Sequence, residues 1–261
     1  NKIIKNINIF KYKSLKNKKK IGKGGNAIVY QCLVNNKLMV IKEQQLYSDT
    51  PYILNNSKQI LCSVTGINEL VISHYISKLS QYYDHIQKFY GYDIQNDNLI
   101  IFKEMIRYPF LKNYFLFSER DKSLIILHFL LTLHETFQNK KYILGHHNDL
   151  RLSNIILKRV KYKRRKSIIN GTIIKLPVKK YIPVIIDFGT TELIKCFGKS
   201  INIKRFDWRL LSKNKNDKNC YNISKFNPCL DVQNFFYHLS KYGTSLILKS
   251  YKMLCKKLGK D

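Results

Sequence analysis

The most informative segment of the chain is His147-Asn148-Asp149-Leu150-Arg151-Leu152-Ser153-Asn154, followed further along by Val184-Ile185-Ile186-Asp187-Phe188-Gly189. In the first segment, Asp149 is a carboxylate that can accept the proton of an attacking hydroxyl group. Asn154 and Asp187 supply the neutral and anionic oxygens that Mg²⁺ prefers when it bridges nucleotide phosphates. The two segments together predict a phosphoryl-transfer site, with Asp149 as its catalytic residue and Asn154 and Asp187 as its metal ligands.

A glycine-rich segment and a strand lysine precede these motifs. They read Ile21-Gly22-Lys23-Gly24-Gly25-Asn26-Ala27-Ile28-Val29-Tyr30 and Met39-Val40-Ile41-Lys42. Apolar and aromatic residues around the turn signals predict strand, glycine turn, strand, polar turn at Asn35-Asn36, and strand over residues 17–42. Taken alone, the glycines are equally consistent with an ordinary hairpin turn. A Walker loop is disfavoured because no Lys-Ser or Lys-Thr pair leads into a helix, and a dinucleotide fold is disfavoured for the same reason.

With four motifs in this order, the chain resembles the eukaryotic-type protein kinase family, whose members carry a glycine loop, a V-A-I-K strand, an H-R-D-L-x-x-x-N loop and a D-F-G. The resemblance covers about residues 17–240. It implies an α+β fold in a single catalytic domain over 1–261, with a small β-rich lobe over about 1–106 and a shortened, mainly helical lobe over about 107–261. Residues 147–240 are also similar to the kinases of large DNA viruses, including the poxvirus virion kinases.

The activity implied by this resemblance is transfer of the γ-phosphoryl group of ATP, with Mg²⁺, to Ser/Thr hydroxyl groups of proteins. Lys42 would bind the α and β phosphates, and Arg151 would act at the γ-phosphate or at the catalytic carboxylate. Glu69 is expected to pair with Lys42, because it is the only acidic residue between Pro51 and Tyr83. The implied nucleotide-binding residues are Gly22, Lys23, Gly24, Gly25, Asn26, Ala27, Val29, Val40, Lys42, Glu69, Glu104, Ile106 and Ile156.

Two features of the first lobe depart from the family pattern. The long separation between Lys42 and Glu69 suggests an extra loop around Ser48 to Ser57. Leu99 to Ile106 resembles the last strand before the hinge, whose backbone near Glu104 to Ile106 would hydrogen-bond adenine. The register places Lys103 where the family usually has an apolar residue, and an unpaired ammonium in a dry pocket is costly. Either the register shifts or the pocket is unusual.

The second lobe departs from the pattern as well. Asn148 stands where many protein kinases have the arginine that receives an activation-loop phosphate, so activity without such phosphorylation is expected. Arg151 stands where Ser/Thr kinases often have lysine, which gives weak support for Ser/Thr over Tyr. No A-P-E follows Gly189. The next recognisable element is a helix opened by Asp231, which is expected to anchor the backbone of the catalytic loop.

The charge of the chain is strongly positive, with 47 basic and 17 acidic residues and a formal net charge of +30. Such a charge attracts polyanions at low salt, although the abundance of Asn, Ile and Tyr is also typical of an A/T-rich genome. Most of the excess between Asn154 and Asp187 lies in residues 158–180. This segment is either a solvated hairpin or a docking surface for nucleic acid, acidic protein or anionic lipid. The second interpretation predicts that replacing Arg164 and Arg165 with serine weakens anion binding but not phosphorylation.

The remaining composition predicts a single intracellular enzyme without a membrane span. The 261 residues contain no linker or repeat, and the six cysteines form no C-x-x-C pair, as expected for reduced thiols rather than for disulfides or zinc. No apolar run reaches transmembrane length and no signal-peptide pattern opens the chain. The expected location is the cytoplasm, or the host cytoplasm or virion for a viral protein.

Two other functions stay open. A small-molecule kinase of the same fold, similar to the aminoglycoside and choline kinases, would share the H-x-D-x-x-x-x-N loop and the I-D-F segment and would also lack A-P-E. Such enzymes use further C-terminal helices to enclose their substrate, and little sequence follows Asp231. A basic pseudokinase scaffold would retain the fold, but it has no chemical need for Lys42, Asp149, Asn154 and Asp187 together.

Overall fold

The computed structural model of the chain describes residues 7–11, 15–23, 27–45, 66–110, 114, 116–139, 143–161, 163–169, 172–197, 199–203 and 230–240. Within these residues the protein is a mixed α+β structure, as predicted. The predictions for Gly24, Gly25 and Asn26, and for an extra loop at Ser48 to Ser57, lie outside the described residues.

The first part of the fold is a five-stranded antiparallel sheet. Its strands, in the order β1-β2-β3-β5-β4 across the sheet, are β1 Leu15–Lys23, β2 Ile28–Val34, β3 Lys37–Gln45, β4 Phe89–Gln95 and β5 Asn98–Glu104. Asn35 and Asn36 both have positive φ, 48° and 64°, as a two-residue hairpin turn requires. The strand pattern and the polar turn predicted over residues 17–42 are therefore confirmed where the structure describes them.

A helix, α1 (residues 66–77), covers one face of this sheet. Because side chains alternate along a strand, Leu99 and Ile101 of β5 face α1 and pack against its Leu70 and Val71. On the other face, Met39 and Ile41 of β3 form a separate core cluster with Ile100 and Phe102 of β5. The same alternation turns Val40, Lys42 and Lys103 towards the α1 side.

The rest of the described chain combines two helices with short antiparallel sheets. The helices are α2 Glu119–Phe137 and α3 Leu230–Ser240. The strands are β6 Tyr108–Pro109, β7 Gln138–Asn139, β8 Ile143–His146, β9 Ile155–Arg159, β10 Arg164–Ile169, β11 Thr172–Pro177, β12 Tyr181–Ile185, β13 Glu192–Cys196 and β14 Lys199–Ile203. They form the sheets β12-β9-β6, β14-β13-β8-β7 and β10-β11. In the described residues beyond 107, strands thus outnumber helices, so the expected mainly helical character is not met there.

The largest hydrophobic core lies in this second part. Aromatic side chains fill much of it, and Phe129 of α2 stacks on Phe235 of α3 with ring centroids 3.8 Å apart. Leu150 and Phe188, next to the residues singled out by the sequence, are buried in the same core. Burying each of these large side chains contributes about 1.5–3 kcal/mol. The core therefore fixes the positions of the His147–Asn154 and Val184–Gly189 segments.

Strands β8 and β13 lie unusually close together at Gly145. A Cβ atom at this position would be 2.1 Å from the carbonyl oxygen of Glu192, far inside van der Waals contact. Gly145 pairs with Leu193, and the next pair in register is His146 with Glu192. Glycine is therefore required at position 145 for the strand pairing that immediately precedes the His147–Asn154 segment.

The hairpin β10-β11 carries the centre of the basic segment 158–180. Arg164 and Lys166 are exposed, whereas Arg165 between them is only 5% exposed. Arg165 donates to the backbone oxygen of His128 (2.9 Å) and to Thr132 Oγ1 (3.0 Å), and it forms a buried ion pair with Glu135. Treating Arg164 and Arg165 as equivalent surface charges is therefore wrong, because the alternation of β10 turns only Arg165 into the interior.

We expect the Arg165→Ser variant to lose about 3–5 kcal/mol in free energy of unfolding, because Glu135 would stay buried without its cation. Arg164→Ser, one residue away in the same strand, is the matched control and should change the stability by about 0.5 kcal/mol or less. Urea unfolding of the two variants beside the wild type measures the difference. Equal unfolding midpoints for both variants would contradict the buried role of Arg165.

Two of the cysteines lie in described residues, and both are free and buried: Cys32 and Cys196. Burial raises the pKa of Cys32 to about 11 and that of Cys196 to about 12, so both thiols stay protonated at neutral pH. No helix in the described part of the chain has the length and apolar character needed to cross a membrane.

Candidate functional site

Three distant parts of the chain meet at Lys42. Its Nζ forms an ion pair with Glu69 Oε2 of α1 and lies 2.7 Å from Asp187 Oδ1, just after β12. The alternation of β3 explains the meeting, because Met39 and Ile41 pack into the opposite core and leave Lys42 facing α1. The expected pairing of Lys42 with Glu69 is thus present in the structure.

Lys103 takes part in the same cluster. Its Nζ lies 2.5 Å from Glu69 Oε1 and 5.6 Å from the centroid of the Phe188 ring, and its side chain is 6% exposed. Lys103 pairs with Val40 in the β3-β5 register, which turns its side chain to the same side of the sheet as Lys42. The ammonium is buried but not unpaired, because one carboxylate of Glu69 serves both lysines.

The charges of this cluster balance, with two ammonium groups and the carboxylates of Glu69 and Asp187. Burial by itself would lower the pKa of Lys42, but Glu69 and Asp187 outweigh it and raise the pKa above its usual value. Burial by itself would raise the pKa of Asp187, but Lys42 above all, with Lys103 and His147, lowers it to about 2. This depressed pKa stabilises the fold above the unfolded value near pH 4, and the contribution is lost as the pH falls towards 2.

Asp149 lies in a short loop that closes with a 3₁₀ turn at Leu152–Asn154. Arg151 forms a bidentate ion pair with the Asp149 carboxylate: Nε lies 2.6 Å from Oδ1, and Nη2 lies 2.7 Å from Oδ2. Asn154 Nδ2 donates to the Asp149 backbone oxygen at 2.8 Å and to Oδ2 at 3.3 Å. Of the two partners expected for Arg151, the structure shows the carboxylate of Asp149.

Hydrogen bonds connect the Asp149 loop to the Asp187 segment. The Ile186 N–H donates to the Asn154 backbone oxygen at 2.9 Å, and His147 Nε2 donates to the Ile186 backbone oxygen at 2.9 Å. The Asp149 N–H donates to His147 Nδ1 at 3.3 Å, so the two bonds of the ring place its proton on Nε2. His147 is therefore a positioning residue that spans the two segments.

Asp231 anchors the backbone at the start of this loop, as the sequence predicted. Its side chain is buried at the start of α3 and accepts one N–H on each oxygen, from His147 at 2.7 Å and from Asn148 at 2.9 Å. Asn148 has φ of 64°, a left-handed conformation that asparagine tolerates better than most residues. Asn148 Nδ2 also donates to the Thr190 backbone oxygen at 3.2 Å, which joins the loop to the chain after Gly189.

We expect Asp231→Ala to lower the free energy of unfolding by about 2–4 kcal/mol, because two buried N–H groups would lose their acceptor. Any activity of the Asp149 site should fall with it, since the loop backbone would no longer be held in its left-handed turn. Thermal and urea unfolding measure the first effect. The exposed carboxylate variant Glu119→Ala is the control, and a similar stability for the two variants would argue against the anchoring role.

One polar residue that the sequence reasoning missed ties α1 to the Asp187 segment. Asn68, next to Glu69, donates through Nδ2 to the backbone oxygens of Gly189 (3.0 Å) and Thr191 (2.9 Å). Phe188 packs between the rings of Phe137 and His147, with centroid distances of 6.3 and 5.8 Å. No motif marks Asn68, because its role depends on the way that α1 packs against a distant segment.

Of the remaining predicted nucleotide contacts that the structure describes, Gly22, Lys23, Val29, Val40, Glu104 and Ile156 lie in strands, and Ala27 and Ile106 lie just outside them. Gly22 and Lys23 end β1, and Gly22 pairs with Val29 of β2. At Glu104 the backbone is already engaged: its N–H donates to the Lys88 oxygen at 2.8 Å, and its oxygen accepts from Gln87 Nε2 at 2.9 Å. The residues of the predicted set that are partly or fully buried around the cluster are Gly22, Ala27, Val29, Val40, Glu104, Ile106 and Ile156.

Two of the site residues have chemistry suited to a divalent cation. Asn154 uses Nδ2 for its own hydrogen bonds, which leaves the amide oxygen Oδ1 for a metal, and Asp187 is ionised at neutral pH. Two oxygens form only part of the coordination sphere of Mg²⁺, which in such sites is completed by phosphates and water. The described residues contain no cluster of three or more His, Cys, Asp or Glu side chains that could bind a metal by themselves.

Comparison of the chain with models of protein families and with curated proteins gave no match. The geometry of the site and the chemistry of its side chains are therefore the basis for assigning a function.

Proposed function

We propose that the protein is an ATP- and Mg²⁺-dependent protein kinase that phosphorylates Ser/Thr hydroxyl groups. In this proposal the five-stranded sheet with α1 is the small lobe, and the part that contains α2 and α3 is the large lobe. The observation that supports it best is the meeting of Lys42, Glu69 and Asp187, with the Asp149-Asn154 loop hydrogen-bonded to the same segment. A lysine, a metal-binding carboxylate and a proton acceptor are the side chains that phosphoryl transfer requires.

Each side chain then has a defined task. Lys42 would bind the α and β phosphates, while Asn154 Oδ1 and Asp187 would hold Mg²⁺, which would neutralise charge on the phosphates. The substrate hydroxyl oxygen forms a bond to the γ-phosphorus as the bond to the bridging oxygen of ADP breaks, and Asp149 accepts the hydroxyl proton. Most of the rate acceleration would come from positioning and charge neutralisation.

In this scheme the Asp149 carboxylate has two states, one paired with Arg151 and one free of it. With Arg151 on both of its oxygens, the carboxylate has no oxygen free of the guanidinium. The Arg151 side chain is 58% exposed, so it can turn away at little packing cost when a substrate arrives. The γ-phosphate then provides the guanidinium with a second anionic partner.

The assembled cluster also supports activity without prior phosphorylation. Glu69 reaches Lys42 through α1, and Lys103 and Asn68 add two further links that hold α1 against the site. We therefore propose a kinase that does not need activation-loop phosphorylation, in agreement with asparagine at position 148.

The exposed basic residues of the second part of the chain favour anionic substrates. The chain has no Asp or Glu between Asp149 and Asp187. Exposed cations of this stretch are Arg151, Arg159, Lys161, Lys163, Arg164, Lys166, Lys175, Lys179 and Lys180. We propose that acidic or otherwise anionic proteins are the preferred substrates, inside a cell or, as the resemblance to viral kinases suggests, in infected cells or virions.

The test is incubation with γ-labelled ATP and Mg²⁺, with acidic and basic model proteins, a panel of aminoglycosides and choline in separate reactions. Label on protein Ser/Thr that is lost in the Asp149→Ala variant would support the proposal. Label on a small molecule would point instead to a small-molecule kinase of this fold. Nucleotide binding without transfer to any acceptor would point to a scaffold.

A further inference from the structure

A second polar site lies away from Lys42 and Asp149. It is a cavity of about 190 Å³ between residues 82–85, the C-terminal half of α2 and strand β10. Its lining includes His85, Glu135, Arg164, Arg165 and Lys166. None of the residues assigned to phosphoryl transfer lines it, so its chemistry must be explained separately.

His85 brings one unused hydrogen-bond donor to this cavity. The ring is 2% exposed, and its Nδ1 lies 3.0 Å from Arg165 Nη2, which can only donate. Burial first, and then the charge of Arg165, keeps the pKa of His85 well below its usual range, so the ring is neutral. Nδ1 accepts from Arg165 Nη2 at 3.0 Å, closer than Glu135 Oε2 at 3.4 Å, and this assigns the proton to Nε2. This Nε2–H is buried without a partner among the described residues.

Glu135 brings one unused acceptor. Its Oε2 forms the ion pair with Arg165, whereas Oε1 is buried without a hydrogen-bond partner in the described part of the chain. Buried polar atoms in folded proteins are nearly always paired with protein, water or a ligand. Two side chains of the cavity wall, both about 2% exposed, therefore carry one unpaired donor and one unpaired acceptor, and a small rotation of each is needed before either atom contacts a bound group.

The charge around the cavity favours an anion. Arg164 and Lys166 are exposed at its edge, and Arg165 forms part of its wall, against the two carboxylates Asp84 and Glu135. An anion that fits must accept a hydrogen bond from His85 and also donate one to Glu135. A phosphate group that carries one proton meets both conditions, whereas sulfate at neutral pH has no proton to donate.

We propose that this cavity binds a monoprotonated phosphate group, from either inorganic phosphate or a phosphate monoester such as phosphoserine. His85 Nε2 donates to a phosphate oxygen, the P–OH group donates to Glu135 Oε1, and Arg164 and Lys166 neutralise the remaining charge. The site follows from the cavity alone, so it does not depend on the proposed kinase activity.

The test is isothermal titration of the full chain at neutral pH with sodium phosphate and, at the same ionic strength, with sodium sulfate. Phosphate should bind about tenfold or more tightly than sulfate, the effect of one charge-assisted hydrogen bond. The double variant Arg164→Ser/Lys166→Ser should weaken phosphate binding by about tenfold or more. The matched control Lys16→Ser/Lys20→Ser removes the same charge from exposed positions of β1 and should change the affinity by about twofold or less.

Two further measurements test the hydrogen bond to Glu135 and the source of the phosphate group. Glu135→Gln replaces an acceptor with an amide that can donate, so it should reduce the preference for phosphate over sulfate; circular dichroism checks its fold. O-phosphoserine titrated at pH 6 and pH 8 separates the sources, because a monoester loses its proton near pH 6 while inorganic phosphate keeps one. Equal binding of phosphate and sulfate by the wild type, or equal losses in the β10 and β1 variants, would overturn the proposal in favour of general attraction by a basic protein.

Discussion

Replacing Asp149 with alanine is expected to lower phosphoryl transfer by about 10²–10⁴-fold, because it removes the group that accepts the hydroxyl proton. Nucleotide binding should be retained, because the other contacts of the site stay in place. Lys42 keeps its ion pairs with Glu69 and Asp187, and Asn154 keeps its hydrogen bond to the backbone oxygen of residue 149. The released Arg151 guanidinium stays close to the site and remains available to the phosphates. Labelled-phosphate transfer at saturating ATP measures the rate, and equilibrium titration with a fluorescent nucleotide measures binding.

Two controls decide what a loss of rate would mean. Glu119→Ala removes an exposed carboxylate at the start of α2 and should leave transfer unchanged. Lys42→Ala should instead weaken productive nucleotide binding, because it removes the cation for the α and β phosphates and leaves Asp187 without its closest partner. Unchanged turnover in Asp149→Ala would remove Asp149 from the catalytic role.

The second large effect is expected at Glu69. Glu69→Ala would leave the Lys42 and Lys103 ammonium groups without the carboxylate that they share, in side chains that are 16% and 6% exposed. Breaking a buried ion pair from one side costs about 3–5 kcal/mol, so the free energy of unfolding should fall by about this amount. Nucleotide affinity should also fall, because Lys42 would retain only Asp187 as a fixed partner.

A compensating replacement tests the physical reason. Adding Lys103→Met to Glu69→Ala removes the more buried of the two unpaired charges and should restore about half or more of the lost stability. It should not restore phosphoryl transfer, because Lys42 would still lack its orienting carboxylate. If the double variant were less stable than Glu69→Ala, the pairing of Lys103 with Glu69 would not be the source of the effect.

The parts of this structure that the sequence predicts are those that depend on local pattern or on residue chemistry. The strands and turn over residues 17–42 follow from turn residues between β-branched runs, and the Asn35-Asn36 conformation confirms them. The pairing of Lys42 with Glu69 could be expected because a lone acidic residue occurred in an apolar-periodic segment. Asp231 could be expected as an anchor only through the resemblance to protein kinases, because its helix looks like the central helix of their large lobe.

Other features were not predictable because they arise from tertiary contacts between distant segments. A buried lysine at position 103 is unfavourable unless it has a partner, and nothing in the sequence of β5 shows that Glu69 of α1 faces it. Arg165 is one cation in a run of basic residues, and only the packing of β10 against α2 distinguishes it from Arg164. The hydrogen bond from Gln87 Nε2 to the Glu104 backbone oxygen likewise depends on how a separate loop packs against β5.

The close contact at Gly145 affects how mutations in this protein would be interpreted. A methyl group at position 145 would meet the Glu192 carbonyl at 2.1 Å and push apart two strands, one of which runs directly into His147. A genetic screen for loss of function would then return position 145 beside Asp149, although Gly145 has no side chain to contact a substrate. Only a measurement that separates the amount of folded protein from the activity per molecule would tell these two kinds of position apart.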